Sequence, residues 1–200
     1  MTPQTKDLPL ILQHLLELGF DDVGFAPVLV SPNPNAQFSK ADFDSFLEEM
    51  KVCGQLALSE MRLGRSFAFS NLTTALEEIH RGTHRPYPCG AGAAYLSVNA
   101  EGKIFACHRL IDDPNFAMGD ASSGLDQSAR RELLGQMHVD KMEPCRSCWA
   151  RYLCGGGCYH EVSRRGRPGC NYIRGWMEFC IAAYAEISTF IETQPVVRNS

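Results

Sequence analysis

The sequence predicts two pieces: an α/β segment over residues 1–85, and a small irregular cysteine-rich domain over residues 86–200 with a β-hairpin and a C-terminal helix. Three observations predict this. In the first piece, apolar residues recur at helical spacing on either side of a β-rich stretch. Of nine cysteines, only Cys53 precedes Cys89; the other eight fall between Cys89 and Cys180. From Thr83 the texture changes, with Pro86, Pro88, Gly90 and Gly92 surrounding Cys89, which marks a boundary near residues 82–88. A chain of 200 residues is long enough for one or two domains with a real apolar core.

The elements follow in order. Asp7 is placed to cap a helix whose apolar positions Ile11, Leu12, Leu15, Leu16 and Leu18 stop at Gly19, the residue expected just past a helix end. Residues 22–30 read as a strand and end in the breaker cluster 31–35. Ser39 with Asp42 three residues on forms a capping box, Asp standing for the usual Glu or Gln. It opens a helix carrying Phe43, Phe46, Leu47, Met50, Cys53 and Ala57 on one stripe. A short apolar stretch at 67–69 and a helix over 72–81 capped by Asn71 complete the piece, which has too few strands for a closed barrel or a doubly wound sheet. Beyond the boundary, residues 95–98 and 103–106 flank a turn in which Gly102 supplies a positive φ. This hairpin would bring Cys89 and Cys107 towards each other. Residues 111–127 look irregular and 128–138 helical. Trp176, Phe179, Ala183, Ile187 and Phe190 mark the apolar stripe of the last helix.

Composition excludes several classes. Hydrophobic residues at 44% and charged residues at 21% are ordinary for a globular protein. A net charge of −4 gives no basic footprint for nucleic acid or an anionic membrane. Apolar runs are only a few residues long, and the first residues have no basic-then-apolar pattern. A cytoplasmic protein with neither a nucleic-acid nor a membrane partner is therefore expected.

The segment 145–158 carries the chemistry. Cys145-x-x-Cys148 is followed by Cys154-Gly-Gly-Gly-Cys158. A CxxC puts two sulfurs on one turn within reach of one metal centre, and four thiolates within fourteen residues gather a metal or cluster site. Gly155, Gly156 and Gly157 would let backbone pass close to a bulky inorganic centre and offer it N–H donors. Structural zinc in two Cys₄ sites is an alternative to iron–sulfur clusters. Disulfides are a further alternative that would need an oxidising compartment. A thioredoxin-like redox CxxC fits less well, because it needs one pair on a helix N-terminus rather than a crowd.

The spacing is also recognisable. Cys89 is followed by twelve residues, Gly102, four residues and Cys107, then by the CxxC, Cys154, Cys158 and Cys170. This resembles the seven-cysteine SPASM domain that ends many radical AdoMet (S-adenosylmethionine) enzymes modifying ribosomally made peptides or proteins. The wording around Cys89 and Cys107 looks closest to maturases that form thioether cross-links. The resemblance implies two auxiliary [4Fe–4S] clusters. Cys89, Cys107 and Cys158 would hold the first, and Cys145, Cys148, Cys154 and Cys170 the second. It implies that residues 1–85 are the last βα units of a partial TIM-type barrel. It also implies a peptide or protein substrate, and a reductant such as flavodoxin or ferredoxin as partner. Some members carry another cysteine where Thr83 stands here, so the first cluster lacks an obvious fourth protein ligand. Cys180 is a possible extra ligand, although it also falls on the apolar stripe of the last helix.

The catalytic motif of that family, CxxxCxxC, is absent: Cys154-x-x-x-Cys158 is followed by Tyr159, His160 and Glu161. The chain is accordingly expected to be the C-terminal part of a longer oxidoreductase, without an AdoMet site of its own and not catalytic alone. The alternative of a different class is a stand-alone zinc- or iron–sulfur-binding module for protein recognition. His108 follows Cys107 where sulfatase-maturing relatives have Asp, which counts against that substrate class. His108 and Arg109 could bind a peptide carboxylate or tune the first cluster, or be a surface pair. His160, Glu161, the run Arg164, Arg165, Gly166 and Arg167, and His80 with His84 read as solvated loop residues. Trp149 and Tyr152 read as shields of the cluster against solvent.

Overall fold

The computed structural model describes the backbone of residues 1–193 and side chains through residue 189. The chain divides into two units, one formed by Met1–Thr83 with the described residues from Pro168 onward, the other by His84–Arg167. The last helix therefore groups with the first piece of the sequence.

The first unit is mainly helical: α1 (Leu8–Glu17), α2 (Lys40–Arg62), α3 (Ser70–His80) and α7 (Cys170–Thr193). The capping box of α2 forms as expected, Asp42 N–H donating to Ser39 Oγ at 3.3 Å and Ser39 N–H donating to Asp42 Oδ2 at 2.8 Å. The expected cap at Asp7 does not form. Asp7 adopts a left-handed conformation, and Glu49 of α2 instead accepts from Leu8 N–H at 2.7 Å. Gly19 takes its expected place past α1 with φ 89°.

The strand expected over 22–30 shrinks to one parallel bridge between Val23 and Phe69. Asn71 explains the difference. Its side-chain amide donates to Phe25 O at 3.0 Å and accepts from Phe25 N–H at 2.7 Å, doing for Phe25 what a neighbouring strand would do. Asn71 is thus one residue inside α3 and caps nothing. Pro27, which has no N–H to give a ladder, reinforces the interruption. A mixture of helices with a small antiparallel sheet is what the chain shows; the described residues 1–85 hold no strand of a barrel beyond that bridge.

The core of this unit lies between α2, α3 and α7, where Phe43, Met50, Cys53, Ala57, Phe69, Leu72, Trp176 and Cys180 are buried. Close approach of α2 and α7 depends on two glycines. A Cβ at Gly175 would lie 2.5 Å from Leu47 Cδ2, and one at Gly54 would overlap the Phe179 ring. Phe46 meets Tyr172 at 5.3 Å and Phe69 meets Trp176 at 6.1 Å. The Phe190 side chain, read as part of the apolar stripe, lies outside the described residues.

The second unit holds a four-stranded antiparallel sheet in the order β1 (Ser97–Val98), β2 (Lys103–Phe105), β3 (Ala117–Asp120), β4 (Gly124–Leu125). The predicted hairpin is β1–β2, with Val98 opposite Ile104 and Gly102 at φ 82°. The β3–β4 hairpin falls where the sequence looked irregular. Gly119, at φ 120°, carries no side-chain signal yet is required, since a Cβ there would overlap Gly124 O. Helix α4 (Gln127–Met137) is capped by Asp126. The short helices α5 (Arg151–Cys154) and α6 (Tyr159–Arg165) complete the unit.

Candidate metal centre

Six of the seven cysteines with SPASM spacing lie in the second unit, and Cys170 opens α7 in the first. Among the described residues the nine cysteines form no disulfide.

Backbone pinning brings Cys89 and Cys107 to a common neighbour. Gly90 O accepts from the N–H groups of Ala93, Ala94 and Tyr95 at 2.7–3.1 Å, curling residues 89–95 into a tight turn. Gly92 N–H donates to Ala106 O at 2.9 Å, which ties the turn to the residue before Cys107. Arg130 of α4 locks it from outside, donating to Gly92 O at 2.8 Å and Ala93 O at 2.9 Å. As a result the Tyr95 hydroxyl donates to Cys107 Sγ at 3.6 Å, close enough to Cys89 to feel its charge. Its pKa is pushed up, first by the Cys107 hydrogen bond and then by burial and the charge of Cys89. The approach expected from the hairpin is therefore made through Tyr95. His108 Nδ1 lies 3.8 Å from Cys107 Sγ on the other side.

Cys158 stands at the start of α6, and the residue after it, Tyr159, is 3% exposed within the apolar core of Ile104, Ala106, Leu110 and Met118. The Tyr159 hydroxyl is buried without a hydrogen-bond partner among the described residues. Its pKa is raised by burial first and then by neighbouring Cys89, Tyr87 and Tyr95. Burying such a donor unpaired costs about 1–3 kcal/mol, so an acceptor beyond the protein atoms fits this place. Tyr95 and Tyr159 went unread as site residues; the available signals were an aromatic hydroxyl directly after Cys158 and another six residues after Cys89.

The second set is organised by the glycine run. Cys148 N–H donates to Cys145 O at 2.9 Å in a single turn, and Cys154 ends α5 with its N–H on Ala150 O at 2.9 Å. Gly155, Gly156 and Gly157 all have positive φ, between 73° and 98°. Neighbouring protein atoms also require two of them. A Cβ at Gly155 would overlap Tyr87 O and stand 2.6 Å from Pro88 Cα, the two residues leading into Cys89. A Cβ at Gly156 would lie 2.6 Å from Met142 Cε and 3.9 Å from Cys145 Sγ. The glycines thus seat the Cys154–Cys158 loop against the approach to Cys89 and beside Cys145. Arg167, read as solvated, holds that loop by donating to Gly156 O and contacts Met142 Sδ at 3.0 Å.

The remaining candidates divide. Cys53 and Cys180 are fully buried in the first unit, and burial pushes each thiol up to about 12. Trp149 is 49% exposed. Tyr152 donates to Asp140 at 2.8 Å and stacks on His84 at 3.7 Å, while His80 bonds the Tyr184 hydroxyl at 2.9 Å. Arg164 pairs with Asp113 at 3.2 Å, next to His160, whose pKa is lowered by burial first and then by Arg109 and Arg164. Glu161 is only 7% exposed, and burial raises its pKa against the opposing charges of Arg165 and Arg167.

Among the described residues, no three His, Cys, Asp or Glu side chains converge on a point where they could share a single ion. Tetrahedral zinc with Zn–S bonds of about 2.3 Å needs its sulfurs ~3.8 Å apart. A polynuclear cluster holds its cysteines further apart, around its own volume. The donor set and the orphaned Tyr159 hydroxyl fit such a cluster.

Comparison with known proteins bears on the same arrangement. Solved structures of anSMEcpe with bound AdoMet align over 96% of this chain with a TM-score of 0.65 at 15% identity, and over 88% with 0.63 in a second case. The chain shares its fold with anSMEcpe. A third of these structures, with bound AdoMet and a Kp18Cys peptide, aligns over 88% of the chain with a TM-score of 0.60. The chain spans 52–56% of the length of these anSMEcpe structures. In sequence it is 34% identical over 116 residues to an uncharacterized protein of Archaeoglobus fulgidus, covering 53% of this chain and 27% of that relative. No family model matches the chain. No helix among the described residues is long and apolar enough to cross a membrane.

Proposed function

We propose that this chain is the auxiliary iron–sulfur portion of a radical AdoMet enzyme that modifies peptides, and that it takes part in electron transfer and in binding the substrate peptide. The observation that carries the reading is the pinned turn 89–95, which ties the Cys89 segment to the residue before Cys107 while Tyr95 donates to Cys107 Sγ. This arrangement occurs in a fold shared with structures that hold AdoMet and, in two cases, a Kp18Cys or Cp18Cys peptide.

Cys89, Cys107 and Cys158 are the residues we assign to a first [4Fe–4S] cluster, and Cys145, Cys148 and Cys154 to a second. Cys170 is added to the second by cysteine spacing alone. When bound, such clusters supply an electron acceptor for a substrate-centred radical, and a flavodoxin- or ferredoxin-like reductant would complete the circuit. The protein's own part is positional. The turn 89–95, braced by Arg130, holds Cys89 and is tied to the residue before Cys107, and the positive-φ glycines seat the second set's loop against Tyr87 and Pro88, which lead into Cys89. A ribosomally made peptide carrying cysteine, with thioether formation as the modification, is the substrate class this reading favours. AdoMet would bind a part of the enzyme outside these residues.

The test is Cys107→Ala in anaerobically reconstituted protein, followed by electron paramagnetic resonance after reduction. Loss of one cluster signal with retention of the other is expected. Equal loss of both would show that the ligand sets are wrongly divided or that the two clusters assemble only as one unit.

A further inference from the structure

Two tyrosine hydroxyls converge on the cysteines assigned to the first cluster, and neither is committed elsewhere in a way that explains its position. Tyr95 is 40% exposed, yet its hydroxyl donates to Cys107 Sγ at 3.6 Å, within reach of the charge of Cys89. Tyr159 adds a second hydroxyl to this neighbourhood. It follows Cys158 directly, its ring lies in the same apolar core as Cys107, and its hydroxyl is buried with no protein acceptor among the described residues. Phenylalanine would fill both ring sites equally well, so the hydroxyls need a separate reason. Other tyrosines in the chain meet ordinary oxygen or nitrogen partners: Tyr152 meets Asp140 and Tyr184 meets His80.

Resting on the cluster assignment above, we propose that Tyr95 and Tyr159 are positioning residues of the first cluster, donating hydrogen bonds towards its cysteine sulfurs and raising its reduction potential. The sign follows from charge. A cluster gains an electron on reduction, its sulfurs become more negative, and a donor stabilises the reduced form more than the oxidised one. Removing a donor shifts the potential to more negative values. A cluster that must accept an electron from a substrate radical is served by donors that ease its reduction.

The experiment is a redox titration of the reconstituted full chain, following the paramagnetic signal that Cys107→Ala abolishes. Wild type is compared with Tyr95→Phe, Tyr159→Phe and, as control, Tyr184→Phe in α7. Iron content unchanged, with the midpoint more negative in both test variants and unmoved in the control, is the expected result. Unmoved midpoints with full iron would overturn the proposal, as would an equal shift in Tyr184→Phe. If Tyr159→Phe fails to fold, Tyr95→Phe, at a partly exposed site, decides the matter alone. Failure of the wild-type chain to take up iron and sulfide would refute the cluster assignment itself, and this proposal with it.

Discussion

Cysteines of identical chemistry have opposite fates in this chain, set by what surrounds them. Cys89 is exposed in a tight turn, whereas Cys53 and Cys180 are sealed in the helical core, where desolvation pushes both thiols up to about 12. Alkylation of the metal-free native protein at pH 8, read by mass spectrometry, should therefore modify Cys89 rapidly and leave Cys53 and Cys180 untouched until the chain is unfolded. Fast labelling of Cys180 would contradict its place between the helices. At this scale the sequence spoke clearly wherever one residue's local chemistry decides. Ser39 and Asp42 cap α2 as read, Gly19 and Gly102 take positive φ, and Cys53 is core. It was silent where the partner is remote: Glu49 displacing Asp7 at the start of α1, or Asn71 standing in for a strand beside Phe25.

Helices were more legible than strands for a related reason. A helix repeats its signal over many residues, so the stripes of α2 and α7 stood out. The strands β3 and β4 are four and two residues long and contain two glycines, leaving almost no alternation to detect. What periodicity could not say is which helix meets which. The α2–α7 pairing rests on Gly54 and Gly175, whose significance appears only when Phe179 and Leu47 are seen against them. Gly54→Ala should force the Phe179 ring aside and cost about 1–3 kcal/mol. Thermal melting of the variant should then fall by roughly 2–4 °C per kcal/mol in a chain of this size. An unchanged melting temperature would mean that α7 does not close on α2 at that point.

For the whole molecule, the cysteine spacing carried more information than composition. Nine cysteines in a chain with 44% hydrophobic residues could have signalled zinc, disulfides or clusters. The structure adds an absence of disulfides among the described residues, a turn that joins Cys89 and Cys107 through Tyr95, and a glycine loop seated beside Cys145. The last helix and Cys170 group with the first unit, while the other six spaced cysteines lie in the second. That division was hidden in the sequence, since a helix's apolar stripe does not name its partner.

The central claim is that this second unit organises iron–sulfur clusters, and iron and acid-labile sulfide analysis of the anaerobically reconstituted full chain tests it most directly. The account predicts about eight iron and about eight sulfide per chain, as two [4Fe–4S] clusters require. One or two tightly bound zinc ions with negligible sulfide would contradict it.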